Sequence, residues 1–325
     1  MNPFLLGVAR GAEVVNRELP TGAIRGQREL KPGERVAGVG RCQGTLGELF
    51  QGPIVWGTEL EIAIVSLPFS RSVTCEYVLD PWARAAPAEG LDGKQKTAKA
   101  LELLLASHGL TLPPGRWRFS SQLEVGKGMA SSTADIVAAM RCVASLTGHQ
   151  FQTPDVMNIL RQVERSDSVF LDEAALYLSE RHEIVARFGS SLNFTAAYMV
   201  EHAVIDTEAM RDCLRAHYQR CAGEYRWALD KFLAAAARKD PYQVAEVATE
   251  SSKLSQRCLP KRRFAAMRSA MRALAADGIF VAHTGSVVGY LYVRPPSQAQ
   301  RAEICGFFES LGESVHFDRV GWTDA

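Results

Sequence analysis

The run Glu124-Val125-Gly126-Lys127-Gly128-Met129-Ala130-Ser131-Ser132-Thr133-Ala134-Asp135 constrains the fold of this chain more than any other stretch. A β-type segment, Arg116 to Leu123, leads into it, and an apolar, alanine-rich helical segment, Ile136 to Ala144, leads out. Strand, small-residue loop and helix start form the geometry in which backbone N–H groups point at an anion. The unpaired donors of the first helical turn and the positive end of the helix dipole both favour negative charge there. Glycines at 126 and 128 remove the Cβ atoms that would hold a triphosphate away from the backbone. Ser131, Ser132 and Thr133 add hydroxyls that can cap the helix, touch phosphate or ligate Mg²⁺. A plain serine-capped helix after a glycine turn has the same local pattern, and the Walker A form GxxxxGK[ST] is absent.

The 325 residues suffice for two domains with their own cores, and 47% hydrophobic with 22% charged residues is ordinary for a globular chain. A net charge of +1 supplies no global field for nucleic acid or membrane. The Lys261-Arg262-Arg263 cluster reads as a solvated helix face. Seven scattered cysteines without CxxC spacing argue against a disulfide framework or a zinc site and suit a reducing compartment. No apolar run approaches membrane-spanning length and the N-terminus lacks a signal-peptide pattern, so a cytoplasmic location is expected.

Residues 1–36 read as an extension. Strands are expected over Glu61–Leu67, Ser72–Leu79, His182–Phe188, Ala196–Asp206, from Ile279 and over Ser314–Val320, with a loop from Asp80 to Gly93. Helices are expected over Lys94–Ser107 with a glycine stop, from a Thr153 N-cap to about Arg165, over 208–238, 241–256 and 261–276, and from a Ser297 N-cap to about Gly312. Strand pairs alternating with helices imply an α+β fold with antiparallel pairing. A boundary near 180–192 divides the chain into 37–185 and 186–325.

Three other segments concentrate chemistry. In Cys42-Gln43-Gly44-Thr45-Leu46-Gly47-Glu48-Leu49-Phe50-Gln51-Gly52, three glycines suggest a tight turn that places Glu48 or Gln51 at a surface; a hairpin needing only φ > 0 explains them too. In Val163-Glu164-Arg165-Ser166-Asp167-Ser168, the two carboxylates three apart share one side of a helical or turn conformation. Phosphoryl transfer to an alcohol uses a carboxylate on Mg²⁺ and often another at the hydroxyl, though exposed acids at a helix end are commonly just solvated. In Val281-Ala282-His283-Thr284-Gly285-Ser286-Val287-Val288-Gly289, the glycines allow close backbone approach, and His283 is a ligand, a base or a satisfied turn histidine.

Taken in order and spacing, these four segments resemble the L-threonine kinase branch of the GHMP kinases. Gly128-Met129-Ala130-Ser131-Ser132-Thr133-Ala134 fills the GLGSSxA part of that superfamily's PxxxGLGSSxA motif, with Glu124 at the proline position and Ala130 at the second glycine. Leu46-Gly47-Glu48-Leu49-Phe50-Gln51-Gly52 is similar to the first motif of the branch, with Leu46 where it has Cys. Glu164 to Ser168 matches its acidic segment, and 282–289 its third motif, with Thr284 the one change. The resemblance covers roughly 38–295.

It implies a two-domain architecture, a ribosomal-S5-like N-terminal domain over 37–185 and a ferredoxin-like C-terminal domain over 186–325. It implies ATP and Mg²⁺, with the loop Gly126, Lys127, Gly128, Met129, Ala130, Ser131, Ser132, Thr133 on the phosphates and Lys127 adding charge. Ser132 and Glu164 would ligate Mg²⁺, and Asp167 would orient or deprotonate the acceptor hydroxyl. Glu48, Gln51, Gly285 and Ser286 would shape the substrate cleft. The expected acceptor is a small hydroxy amino acid, L-threonine first, phosphorylated for the cobalamin side chain. Serine, homoserine or a related precursor, and a non-catalytic nucleotide-binding regulator, are the alternatives. A glycine-loop oxidoreductase fits less well than these, since no GxGxxG follows an early strand. Neither nucleic acid nor membrane is an expected partner, and a homodimer stays open.

Overall fold

The computed structural model describes residues 35–80, 89–201, 211–283 and 285–322. In chain order the elements are β1 (Arg35–Trp56), β2 (Glu59–Leu79), α1 (Gln95–His108), β3 (Gly115–Ser121), α2 (Ser131–Thr147), α3 (Thr153–Arg161), β4 (Ala174–Leu178) and β5 (Glu183–Gly189). They continue with β6 (Asn193–Val200), α4 (Arg211–Arg220), α5 (Ala222–Ala237), α6 (Pro241–Ser255), α7 (Phe264–Ala270), β7 (Gly278–Val281), β8 (Val287–Tyr292), α8 (Gln298–Ser310) and β9 (His316–Gly321). Helices and strands are mixed along the chain and the strand pairs are antiparallel, as expected for α+β.

The strands run β1-β7-β8-β6-β9-β2-β4-β5, with β3 on β2, and β1 also pairs with β2 over nearly its whole length. Two single-residue bridges, Glu48 with Val281 and Phe69 with Val320, join the β1–β2 ribbon to the strands of the second half. α2 covers this ribbon because Ile136, Val137, Ala138, Ala139, Met140 and Val143 form a continuous buried face. Gly38 and Gly40 of β1 admit the helix backbone, since a Cβ at Gly40 would lie 2.0 Å from the Ala138 carbonyl oxygen. α5 and α6 pack on β1 farther along.

Alternation builds two cores from one set of strands. Phe280, Val287, Leu291, Ala196 and Tyr198 enter the main core, whereas Ile279, Val281, Val288, Tyr290, Ala197 and Met199 meet Phe264, Met267, Ile304 and Phe308 in a second. β7 and β8 are buried on both faces and accordingly read as unbroken apolar runs.

Several sequence expectations change. The segment 42–52 is no turn: it lies within β1, whose register shifts near Thr45 and Glu48. The Thr45 hydroxyl holds that irregularity, accepting from the backbone of Gly47 and Leu67 and donating to carbonyls of both. Gly47 has φ +142°, and a Cβ there would meet the Val281 carbonyl at 2.6 Å, so glycine is what allows β1 to reach β7. The two strands expected over 61–79 are one, β2. α3 starts from Gln152 rather than Thr153, with the Asp155 carboxylate accepting the Gln152 N–H. It ends at Arg161 because the chain is drawn away to β4, where Ser166 N–H donates to the Ser179 carbonyl. The helix expected over 208–238 is broken at Cys221, and β4, too short to show alternation, was not anticipated. The glycine stop after α1 and the Ser297 N-cap of α8 stand as expected. The proposed extension lies outside the described residues except for Arg35 and Val36, as do most of the 80–93 loop and residues 202–206 of the expected strand.

Candidate active site

The loop 126–130 leaves β3 and delivers the chain to α2 through two left-handed glycines, Gly126 (φ +74°) and Gly128 (φ +78°). The residue that starts α2 is Ala130, also left-handed at φ +53° and without a side-chain cap. This is the position where the GHMP pattern has glycine. Alanine tolerates the conformation at a cost of roughly 1–2 kcal/mol. Because no hydroxyl caps the helix, its first N–H groups stay directed at the loop.

The serine and threonine hydroxyls face the acidic segment instead. Ser132 Oγ donates to Glu164 Oε2 at 2.8 Å and Thr133 Oγ1 to Glu164 Oε1 at 2.8 Å. Lys96, near the start of α1, places its ammonium 2.7 Å from Glu164 Oε2. Glu164 thus stands over the first turn of α2 with each oxygen engaged. Beside it, Lys94 ion-pairs with Asp135, whose carboxyl burial pushes above the usual range despite that partner. Three residues after Glu164, Asp167 accepts a long 3.5 Å bond from Ser66 Oγ. Burial, then the charge of Glu48, push its carboxyl up to about 7; Arg165 opposes them. Glu164 and Asp167 lie on an irregular segment rather than a helix.

Glu48 and Gln51 are buried rather than at the surface. Glu48 Oε2 accepts from both the backbone N–H (3.1 Å) and Nδ1 (2.9 Å) of His283, so the first motif is tied to the third. His283 is therefore a paired turn histidine, with Nδ1–H on a carboxylate; its buried Nε2 has no hydrogen-bond partner among the described residues. Gln51 Nε2 donates to Tyr218 Oη at 2.8 Å and its backbone N–H to Ser251 Oγ. It makes no direct bond to the other motif residues.

The second and third motifs interlock through backbone. Ser286 N–H donates to the Lys127 carbonyl at 3.0 Å. A Cβ on Gly128 would lie 2.5 Å from the Gly285 Cα, and one on Gly285 would lie 2.2 Å from the Lys127 carbonyl. By contrast nothing stands within 4 Å of a Cβ on Gly126, so the loop is open on that side. Thr45 N–H donates to the Met129 carbonyl, fixing the loop's far end to β1. Lys127 Nζ donates to the Glu201 carbonyl at 3.2 Å, which places its charge at the rear of the loop.

The expected residues Gly126 to Thr133, Glu164, Asp167, Glu48, Gly285 and Ser286 thus form one connected constellation, while Gln51 bonds Tyr218 instead. Thr284 lies outside the described residues. Sequence reasoning missed Lys96, whose spacing marks only an amphipathic helix, and Glu201 and Lys261. Lys261 sits in a run of three cations that resembles a solvated face but is itself buried.

The chain is similar to several known proteins. Residues 95–179, from α1 through the acidic segment to β4, match the family model "GHMP kinases N terminal domain". The L-threonine kinase of Citrobacter freundii is 28% identical over 269 residues, covering 79% of this chain and 86% of that protein. The L-threonine kinase of Salmonella typhimurium is 27% identical over 281 residues, covering 83% and 88%. Among solved structures, homoserine kinase from Cytophaga hutchinsonii superposes with a TM-score of 0.63 at 13% identity, covering 92% of this chain and 98% of that one, which is a likeness of fold. The chain therefore carries a GHMP kinase N-terminal domain, has L-threonine kinases as relatives over most of its length, and is an ATP-dependent kinase.

Proposed function

We propose that this kinase transfers the γ-phosphoryl group of ATP, with Mg²⁺, to the side-chain hydroxyl of L-threonine, giving O-phospho-L-threonine and ADP. The observation that carries the proposal is the junction of Ser132, Glu164 and Asp167: a hydroxyl–carboxylate pair at a phosphate-binding helix start, with a second carboxyl three residues on. The names of the two curated relatives support threonine as the acceptor. The use of the product as a cobalamin side-chain precursor belongs to the same proposal.

The donor set fits Mg²⁺. Neighbouring ligands of an octahedral Mg²⁺ at about 2.0–2.1 Å lie roughly 2.9 Å apart, and Ser132 Oγ and Glu164 Oε2 are 2.8 Å apart. Lys96 already offers positive charge to the same carboxylate oxygen, on a side chain 58% exposed that can withdraw at little cost. One hydroxyl and one carboxylate suit a metal that also binds phosphates and water; no larger cluster of metal-ligating side chains occurs among the described residues. Bound there, Mg²⁺ would neutralise charge on the β- and γ-phosphate oxygens.

The chain's own groups do the rest. The N–H groups of 126–133 hold the phosphates. Asp167 accepts a hydrogen bond from the acceptor hydroxyl and aligns it with the γ-phosphorus. The new O–P bond forms as the bond to the β-phosphate oxygen breaks, and the hydroxyl proton leaves through Asp167. With its carboxyl at about 7, part of the population is ionised at neutral pH. The exposed Arg165 guanidinium, two residues before Asp167, is the cation for the acceptor's α-carboxylate.

The two-domain division stays part of the proposal. The second half supports it: β6, β7, β8 and β9 lie in the order β7-β8-β6-β9, with helices between β6 and β7 and between β8 and β9, the βαββαβ order of ferredoxin-like domains. The ribosomal-S5-like description of 37–185 rests on the resemblance, and a cytoplasmic location on the scattered cysteines; among the described residues no helix is long and apolar enough to cross a membrane.

The test is ATP consumption with Mg²⁺ across L-threonine, D-threonine, L-serine, L-homoserine and aminopropanol, with the product identified by mass. Preference for L-threonine over aminopropanol, which lacks the carboxylate, is the expected result. Equal or better turnover of another acceptor overturns threonine and keeps the kinase; nucleotide binding without turnover of any acceptor would favour a regulator.

A further inference from the structure

We propose that Lys261 is a positioning residue for phosphoryl transfer: its ammonium, buried behind the 283–286 turn, locks that turn against the 126–133 loop and so sets where the loop's backbone donors meet ATP. The proposal rests on the assignment of ATP to that loop.

The side chain is 5% exposed and its Nζ donates to two backbone carbonyls, those of His283 (3.3 Å) and Gly285. Both carbonyls belong to the segment whose Gly285 and Ser286 touch the loop. On the far side of the same turn, Ser286 N–H donates to the Lys127 carbonyl and Gly285 packs on Gly128. The turn is therefore held between a cation behind it and the phosphate loop in front. Glu201 closes the circuit. Its backbone N–H donates to the Ser286 carbonyl at 2.8 Å, and its carboxylate accepts the N–H groups of Arg262 (3.2 Å) and Arg263 (2.9 Å), the residues next to Lys261. Its carbonyl accepts from Lys127 Nζ. Four chain segments, at Lys127, Glu201, Lys261–Arg263 and His283–Ser286, thus share one set of bonds around a buried cation.

A charged donor makes stronger bonds to carbonyls than a neutral one, so the grip depends on the proton. No carboxylate lies within hydrogen-bond distance of Nζ among the described residues. The carboxylates that act on it are Glu201, just past the end of β6, and Glu48, from β1; the cations Lys127, Arg262 and Arg263 and the imidazole of His283 belong to the segments bonded around it. Burial brings the ammonium down to about 8, with Glu201 and Glu48 opposing. Its proton is lost within the range where enzymes are assayed.

The experiment measures ATP binding directly and kcat/KM for ATP from pH 6.5 to 9.5, with the full chain as wild type, K261R and K261M. Wild type is expected to lose about tenfold in kcat/KM for ATP as pH rises through about 8. K261R, whose guanidinium keeps its proton, is expected to show no such decline. K261M is expected to be low and to show no decline above pH 8, with the KM for the acceptor changed less than that for ATP. Flat wild-type ATP affinity across the range overturns the proposal without any variant, as does a K261R decline that matches wild type. Failure of wild type to bind ATP at any pH would instead overturn the functional assignment on which it rests.

Discussion

Replacing Asp167 with Asn separates what this carboxyl does for chemistry from what it does to stability. Its folded-state value of about 7, against an ordinary 3.8, means that the folded protein holds the proton about three units more tightly than the unfolded chain. The sign follows directly. The stabilisation is fully present below about pH 4 and is lost as pH rises through about 7, because the folded state must then carry a desolvated charge beside Glu48. Three units at ~1.4 kcal/mol each set a ceiling of ~4 kcal/mol over the whole range. Water reaches part of this side chain, so about 1–3 kcal/mol between pH 5 and pH 8 is expected. Asn cannot ionise. D167N should therefore gain stability relative to wild type between pH 5 and pH 8 by that amount, while its kcat falls by about 100-fold or more. Urea unfolding of both proteins at both pH values measures this. The difference of differences cancels the generic cost of the substitution. Equal stability differences at pH 5 and pH 8 would refute the buried-charge reasoning, and an unchanged kcat would remove Asp167 from the reaction.

S132A and E164Q should each lose most turnover while keeping a cooperative unfolding transition; wild-type rates in both would dismiss the proposed Mg²⁺ pair. G126A should cost about 1–2 kcal/mol, the penalty of a left-handed alanine with open space around it. G128A carries the same penalty plus roughly 1–3 kcal/mol for a Cβ driven against Gly285, with a raised KM for ATP; equal stabilities of the two variants would mean that the loops do not touch there. Cys213 and Cys258 have their sulfurs 3.2 Å apart. Oxidised glutathione should join them, releasing two glutathione thiols and lowering the protein mass by about 2 Da relative to the dithiol, and no such species after treatment would show that α4 does not sit at this distance in solution.

How much of this was legible in the sequence depends on the range of the interactions. The phosphate loop was legible because strand, loop and helix are contiguous, and glycine and serine mark them locally. The pairing of Glu164 with Ser132 and Thr133 was reachable only through the resemblance, since 31 and 32 residues separate the partners. The first motif misled: its glycines signal a turn by local chemistry, yet they serve a long strand that must approach another strand more than 200 residues away. Nothing local announces such a contact. Lys261 misled for the reverse reason, because three consecutive cations look solvated until the third motif folds over one of them. The break at Cys221 and the early end of α3 were set by tertiary pairing, which outweighs helix propensity.

The bridge between Glu48 and His283 spans 235 residues, and it bears on how the protein is made. During synthesis the phosphate loop emerges when less than half the chain exists, while the turn that backs it arrives near the end. N-terminal segments can fold early, but no nascent chain that ends before the 283–286 segment can complete this junction, since the residues that back the loop have not yet been made. A truncated product that retains every serine and glycine of the loop but ends before His283 is then expected to be blind to ATP.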